Sequence, residues 1–347
     1  SYNIYSILLD GQNQVSYNPD INTVAFVHRQ NDGEPGGSGG LSYDVSTDGG
    51  ATWTVNPVSL TPDFVAGTAP IGGNRYPNAT IYNPLLNTDP AEAYVVGTGA
   101  ALQTSASEWG YEYYVSAKTD GSNVSEAYYF DPQWTDPTNF HPYALQTNAD
   151  GNLWSISTLL NDNEPLNTNL DTLSNRVFYL NKGVFNLLNS NFDWSVAHTI
   201  KPNYIQYTSF DGTVQNSGAG TWNMAFGPSG LVGYAAITGM EQGDMDTTSK
   251  PIIWKTIDGG TTWNQLPNYE FTADIAPMVA DFIPPTRQGD VIPSFSSMDL
   301  VVDKNDELHM ICEISGRSTT AIDSFGFIWV GQFSSAMFHL STGDGMN

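Results

Sequence analysis

Ser46-Thr47-Asp48-Gly49-Gly50-Ala51-Thr52-Trp53 and Thr256-Ile257-Asp258-Gly259-Gly260-Thr261-Thr262-Trp263 are two copies of one pattern, and each follows a short strand-like run at 41–45 and 252–255. The pattern makes physical sense as a hairpin. The Asp carboxylate can accept backbone N–H groups across the turn, the glycines can take positive φ, and the Trp can plug between sheets.

Weaker copies appear once the phase is known. Thr119-Asp120-Gly121 follows an aromatic run at 111–114, Leu180-Asn181-Lys182-Gly183 follows 177–179, and Leu340-Ser341-Thr342-Gly343-Asp344-Gly345 follows 337–339. Upstream of each turn lie two further strand-like runs joined by a tight polar turn: 15–19 into 23–28, 80–84 into 93–98, 143–147 into 152–159, 223–226 into 231–238, and 298–302 into 307–315. Each unit therefore predicts strand 1, strand 2, a long loop, strand 3, an Asp turn and strand 4. That is one four-stranded antiparallel propeller blade, repeated along a single domain, 1–347. Five blades are preferred. Six or seven are the alternatives if 184–220 and 264–295 hold degenerate strands. The last unit has no strand 4; pairing 3–8 into it would close the ring, and the alternative is a longer native chain cut at this point.

Composition agrees with an all-β chain. Gly (33) and Pro (20) supply turns, and long Leu/Ala/Glu/Lys helical runs are absent. Eleven basic against 36 acidic residues give a net charge of −25, which excludes a nucleic-acid binder that neutralises phosphates and argues against docking on anionic lipid. Only 14% of residues are charged and 40% are hydrophobic, so the excess reflects missing bases in a chain that still builds a core. No apolar stretch approaches a bilayer span, and the start is not a signal peptide, as expected of a mature or trimmed chain. The single cysteine, Cys312, sits in an apolar run and is expected to be a buried structural thiol.

The two full turns, with Ser46, Asp48, Gly50, Thr52 and Trp53 in one and Thr256, Asp258, Gly260, Thr262 and Trp263 in the other, resemble the Asp box of the BNR-repeat propeller superfamily. That superfamily includes sialidases and sortilin-type receptors. The wording of 14–19, 42–50 and 74–78 is similar to secreted or surface Bacteroidota proteins exported by type IX secretion. The resemblance implies a propeller at the cell surface or outside the cell, and it implies that the box is a structural turn remote from the binding face.

Strand order puts the long strand 2–3 loops on one face, and loops on a rigid scaffold are where binding usually sits. These loops hold many carboxylates, which stand open as a solvated rim, a catalytic pair or a calcium site. For calcium the candidates are Asp162, Glu164, Asp244 and Asp246, and no other cofactor is expected. Arg75-Tyr76-Pro77 resembles the Arg-x-Pro of sialidases, and Arg29, Arg176 and Arg317 fall near the same face. Arg75, however, follows the first box where the family motif precedes it. His141, Trp109 and Trp222 could line a sugar-binding funnel. No zinc spacing is present, and no catalytic residue can be chosen. Asn78 and Asn123 stand in N-glycosylation sequons, while the Bacteroidota resemblance implies O-glycosylation at Thr172 and Thr247.

The expected function is a non-catalytic binding, adhesive or structural module for a glycan, a surface polymer or further copies of the chain. A sialidase-like or other glycoside hydrolase is the alternative.

Overall fold

The computed structural model describes residues 11–31, 33, 37–65, 71–103, 109–129, 139–140, 142–160, 177–208, 214–216, 220–242, 249–269, 277–286, 289–317 and 335–344. They fall into two compact units, one holding the residues up to 160 with Phe178–Thr199, the other holding Ile200 onward.

The first unit contains three antiparallel sheets in sequence order. One joins β1 (Val15–Asn18), β2 (Thr23–Arg29), β3 (Leu41–Ser46) and β4 (Thr54–Ser59). The next joins β5 (Ile71–Tyr82), β6 (Tyr94–Gln103), β7 (Trp109–Lys118) and β8 (Ser125–Tyr129). The third adds β9 (Asn139–Phe140) to a path of β10 (Tyr143–Thr147), β11 (Leu153–Leu160), β12 (Phe178–Asn186) and β13 (Asn191–Ile200). The second unit contains a ribbon of β14 (Gln206–Thr208) and β15 (Val214–Asn216). It also has a four-stranded sheet of β16 (Trp222–Phe226), β17 (Gly233–Gly239), β18 (Lys250–Thr256) and β19 (Asn264–Gln265), and a three-stranded sheet of β20 (Pro293–Val302), β21 (Leu308–Gly316) and β22 (Ser335–Ser341). Strands pair in sequence order within each four-stranded sheet, the meander of a propeller blade.

Apolar residues from successive sheets meet to form the cores. Ala25, Tyr43 and Val45 of the first sheet pack with Ile81, Val95 and Val115 of the second. In the second unit Tyr234 and Ile253 pack with Phe295, Met310 and Ile314. Cys312 lies in that core, and burial pushes its thiol up to about 12, as a structural thiol requires.

The two Asp-Gly-Gly turns close in the same way. Asp48 accepts from the Thr52 N–H at 2.8 Å and the Thr52 hydroxyl at 2.6 Å; Asp258 accepts from the same groups of Thr262 at 2.8 and 2.7 Å. Gly50 N–H donates to Ser46 Oγ at 2.8 Å and Gly260 N–H to Thr256 Oγ1 at 3.0 Å, with φ of 96° and 86° at the two glycines. The tryptophans differ. Trp263 is buried edge-on against Phe226, whereas Trp53 is 43% exposed, so only one copy plugs a core.

Hydrogen bonds from threonine, first the hydroxyl and then the backbone N–H, hold both carboxyls down at about 2. Their contribution to stability is therefore present above the usual value of 3.8 and lost as pH falls through about 2. Asp258→Ala is expected to lower the melting temperature by several degrees at pH 7 and to lose that difference at pH 2, as thermal melts at the two pH values can check.

Three details differ from expectation. Asn181-Lys182-Gly183 is not a turn but the middle of β12, and Gly183 is there because a Cβ would stand 2.8 Å from the Trp194 ring. The second sheet starts at Ile71, so Arg75 and Asn78 lie in a strand. A register shift between them goes with a left-handed Tyr76, φ 50°. β6 and β7 also extend into the loop expected at 99–110. The proposed closing strand 3–8 lies outside the described residues. No helix among the described residues is long and apolar enough to cross a membrane.

Candidate functional site

A cavity of about 350 Å³ opens in the second unit, where β17 begins, β18 ends and β20 turns into β21. Tyr234, Lys255, Leu266, Asn305, Asp306 and Glu307 are among its walls. Its size lies within the range of small-molecule sites, about 300–1,000 Å³. It lies at the end of the strands that carries the short turns, opposite the long-loop end where sequence suggested binding.

The β20–β21 turn makes the wall. Asp303 accepts from the N–H groups of Asn305 at 2.8 Å and Glu307 at 2.9 Å, and Asp306 takes a left-handed conformation at φ 61°. Those hydrogen bonds, that from Glu307 first, pull the Asp303 carboxyl below its usual range. Asp303 is folded into the turn, and the next two acidic residues, Asp306 and Glu307, line the cavity. Asp306 Oδ1 accepts from Ser229 Oγ at 2.8 Å, and the Asp306 carbonyl accepts from the Tyr234 hydroxyl at 3.1 Å. The Lys255 ammonium stands 5.2 Å from the Tyr234 ring centroid, a cation–π contact on the same wall. Glycine at 343 lets Glu307 approach, because a Cβ there would collide with the carboxylate.

Behind this wall Asp303, Glu307 and His309 bring one ligand-capable atom each to within 4.8 Å of one another. His309 Nε2 lies 3.8 Å from Asp303 Oδ2, and its Nδ1 lies 2.9 Å from His339 Nε2 on β22.

Of the residues singled out from sequence, Arg29 and Arg75 both lie within electrostatic reach of Tyr113. Both charges act on the Tyr113 hydroxyl, although burial dominates and raises that group well above its ordinary value. Arg29 is buried at the end of β2. Arg75 Nη1 donates to the Asn74 carbonyl at 3.1 Å, and the Tyr113 hydroxyl donates to the Arg75 carbonyl at 3.1 Å. Arg317 is buried after β21 in the other unit, and Trp222 is buried at the start of β16. Arg176, His141, Asp162, Glu164, Asp244, Asp246, Thr172 and Thr247 lie outside the described residues, as does the side chain of Trp109. Asn78 of the first sequon is fully buried and donates to the Pro142 carbonyl at 3.0 Å, which removes it as a glycan acceptor.

Sequence reasoning passed over Asp306, Glu307 and His309, treating 303–306 as ordinary hairpin chemistry. The available signal was the density of Asp303-Lys304-Asn305-Asp306-Glu307 with His309 two residues on. It also passed over Glu112, a lone carboxyl in Tyr111-Glu112-Tyr113-Tyr114 that is 4% exposed and pushed up to about 7 by burial.

No protein-family model and no curated protein matches the sequence. Among solved structures, the chain is similar to a xyloglucanase of glycoside hydrolase family 74 from Xanthomonas campestris, with 16% identity and a TM-score of 0.39 over 94% of this chain and 38% of that one. It is similar to an endo-arabinase from Bacteroides thetaiotaomicron, with 10% identity and a TM-score of 0.38 over 97% and 95%. It is also similar to an α-L-arabinofuranosidase from Fusarium graminearum, with 14% identity and a TM-score of 0.42 over 93% and 80%. The chain thus spans less than half of the xyloglucanase. These neighbours correct the expectation of a non-catalytic binding, adhesive or structural module: all three are enzymes named for glycans, on the side of the glycoside hydrolase alternative. The chain itself is all-β, built of antiparallel sheets whose strands pair in sequence order.

Proposed function

We propose that this chain is a glycan-degrading enzyme, a glycoside hydrolase whose carboxyl pair is Asp306 and Glu307. The observation that carries the reading is that both line one cavity with Lys255 and Tyr234. Glycoside hydrolysis needs one carboxyl to protonate the leaving oxygen and another, ionised, to act as nucleophile or to activate water. Asp306, which accepts the Ser229 hydroxyl, suits the ionised role, and Glu307 is the acid. Lys255 and Asn305 offer hydrogen-bond donors to sugar hydroxyls, and Tyr234 with Leu266 offers apolar surface to a sugar ring. A net charge of −25 favours a neutral glycan over an anionic one. Five blades, membership of the Asp-box superfamily, and export to the cell surface or beyond belong to the same proposal. The matching geometry of the two Asp-Gly-Gly turns supports the Asp-box part of it, while blade number and export rest on the repeat and wording of the sequence.

The test is release of reducing ends from xyloglucan, arabinan and galactan, with chromogenic glycosides alongside. Glu307→Gln and Asp306→Asn are each expected to lower kcat/KM by at least about 100-fold, on the scale of a lost catalytic acid or base, with melting temperatures kept. Turnover that neither substitution changes, or no turnover on the whole panel, would count against the proposal.

A further inference from the structure

We propose that Asp303, Glu307 and His309 form a binding site for a divalent transition metal, with zinc as the best fit, held in position by His339. The proposal goes beyond the reading of the cavity above and competes with it for Glu307, which as an ionised ligand cannot also be the acid of the carboxyl pair. It stands on side-chain geometry alone.

The first observation is the ligand set. Two carboxylates and an imidazole, all partly exposed, converge to within 4.8 Å. Zinc binds nitrogen and carboxylate oxygen at about 2.0–2.2 Å in a tetrahedron, so neighbouring ligand atoms stand about 3.4 Å apart, and side-chain rotations close the remainder. A mixed nitrogen and oxygen set suits zinc or its neighbours better than calcium, which takes oxygen.

The second observation concerns the far side of His309. The rings of His309 and His339 are 4° from parallel with centroids 5.1 Å apart, while Nδ1 and Nε2 are 2.9 Å apart. Those three values describe two coplanar rings joined edge to edge in line, not a face-to-face stack. A single proton lies between the two nitrogens. When His309 Nδ1 donates it, His309 Nε2 keeps a lone pair directed to the carboxylates. A ligating histidine whose other nitrogen is held by a fixed partner is the usual arrangement of a metal site. The Nε2 to Asp303 Oδ2 distance of 3.8 Å is too long for a hydrogen bond and compatible with two ligands of one ion. His339 pairs across from Ile311 on the neighbouring strand, so the sheet fixes where its ring can reach.

With the ion bound, Glu307 is a ligand and Asp306 remains the carboxylate nearest the cavity. Asp303 and His309 do not line the cavity, so the ion would sit behind its wall, beside Glu307.

The experiment uses the full chain, stripped with chelator, and titrates zinc chloride by calorimetry, then cobalt(II) chloride by visible absorption. One zinc ion per chain is expected, with a cobalt d–d band from nitrogen and oxygen ligation. His309→Ala is expected to weaken zinc binding at least about 100-fold and to abolish the band. His339→Phe, which leaves all three ligands in place, is expected to weaken it about 10- to 100-fold, the usual scale for a residue behind a ligand. Circular dichroism of each variant checks that the sheet remains. Zinc binding that is unchanged in both variants, or no binding to the stripped chain, would overturn the site. The hydrolase reading fails separately: zinc binding without turnover on any glycan keeps the site and removes that reading, and turnover without zinc binding does the reverse.

Discussion

Gly99→Ala is expected to destabilise the first unit by about 3 kcal/mol, adding overpacking strain of about 1–3 kcal/mol to the loss of one buried hydrogen bond. Gly99 pairs with Tyr113 across β6 and β7. A Cβ at this position would stand 2.5 Å from the Arg75 carbonyl oxygen and closer still to the Tyr113 hydroxyl. Neither neighbour can give way freely. The carbonyl belongs to β5, and the Tyr113 ring is fully buried between β7 and the sheet before it. The methyl group therefore either parts β5 from β6 or breaks the bond from Tyr113 to Arg75.

Two other glycines serve as controls. Gly97→Ala meets the side chains of Val115 at 3.1 Å and Val27 at 3.3 Å, with the Asn78 carbonyl at an ordinary contact of 3.4 Å, and a smaller loss is expected. Gly50→Ala meets no atom within 4 Å but must hold φ at 96°, so its cost is local backbone strain of about 1–2 kcal/mol. Denaturant unfolding at pH 7 ranks the three. A Gly99→Ala protein as stable as Gly97→Ala would mean that Tyr113 swings out of its site.

The blades were legible in sequence because period-2 burial and turn chemistry both write themselves locally. β2 alternates buried and half-buried residues before closing on a buried end, and the two Asp-Gly-Gly turns carry their hydrogen-bond partners within four residues. Asn181-Lys182-Gly183 was misread for the same reason. Its composition is that of a turn, and only Trp194, eleven residues further on, gives Gly183 a different purpose. Contacts between successive sheets leave no such mark. Nothing near Glu112 in sequence announces Ser155, Ser157 or Asn181, and nothing near Asp306 announces Ser229 or Lys255. The candidate site was hidden for a second reason. Asp, Asn and Gly in a hairpin turn are expected on conformational grounds alone, so the carboxylates that the turn displays could not be told from the one that builds it.

Glu112→Gln is expected to leave stability unchanged near pH 4.5 and to raise it by about 3 kcal/mol at pH 8, the free energy of moving a carboxyl from its ordinary 4.5 to about 7. Glu112 is enclosed between the second and third sheets. The Tyr114 hydroxyl donates to its Oε1, Asn181 Nδ2 donates to the same oxygen at 3.3 Å, and Trp194 stacks over the Tyr114 ring. Burial raises the group, and the hydrogen bonds from Tyr114 and Ser157 recover only part of that rise. The sign follows from proton counting. Between 4.5 and about 7 the folded chain holds a proton on Glu112 that the unfolded chain has released, so stability falls with rising pH across that window and is level beyond it. Glutamine keeps an oxygen to accept from Tyr114 and Asn181 and never ionises, so the variant loses this slope. Glu126 is also pushed up to about 7, by burial and by Asp63 beside it, and adds a slope of the same sign to both proteins. The measurement is therefore the difference between the two unfolding free energies from pH 4.5 to pH 8. Parallel curves would show that Glu112 is ionised in the folded chain throughout. Curves that diverge as predicted would mean that this part of the −25 is carried only above neutrality, at a cost to folding stability.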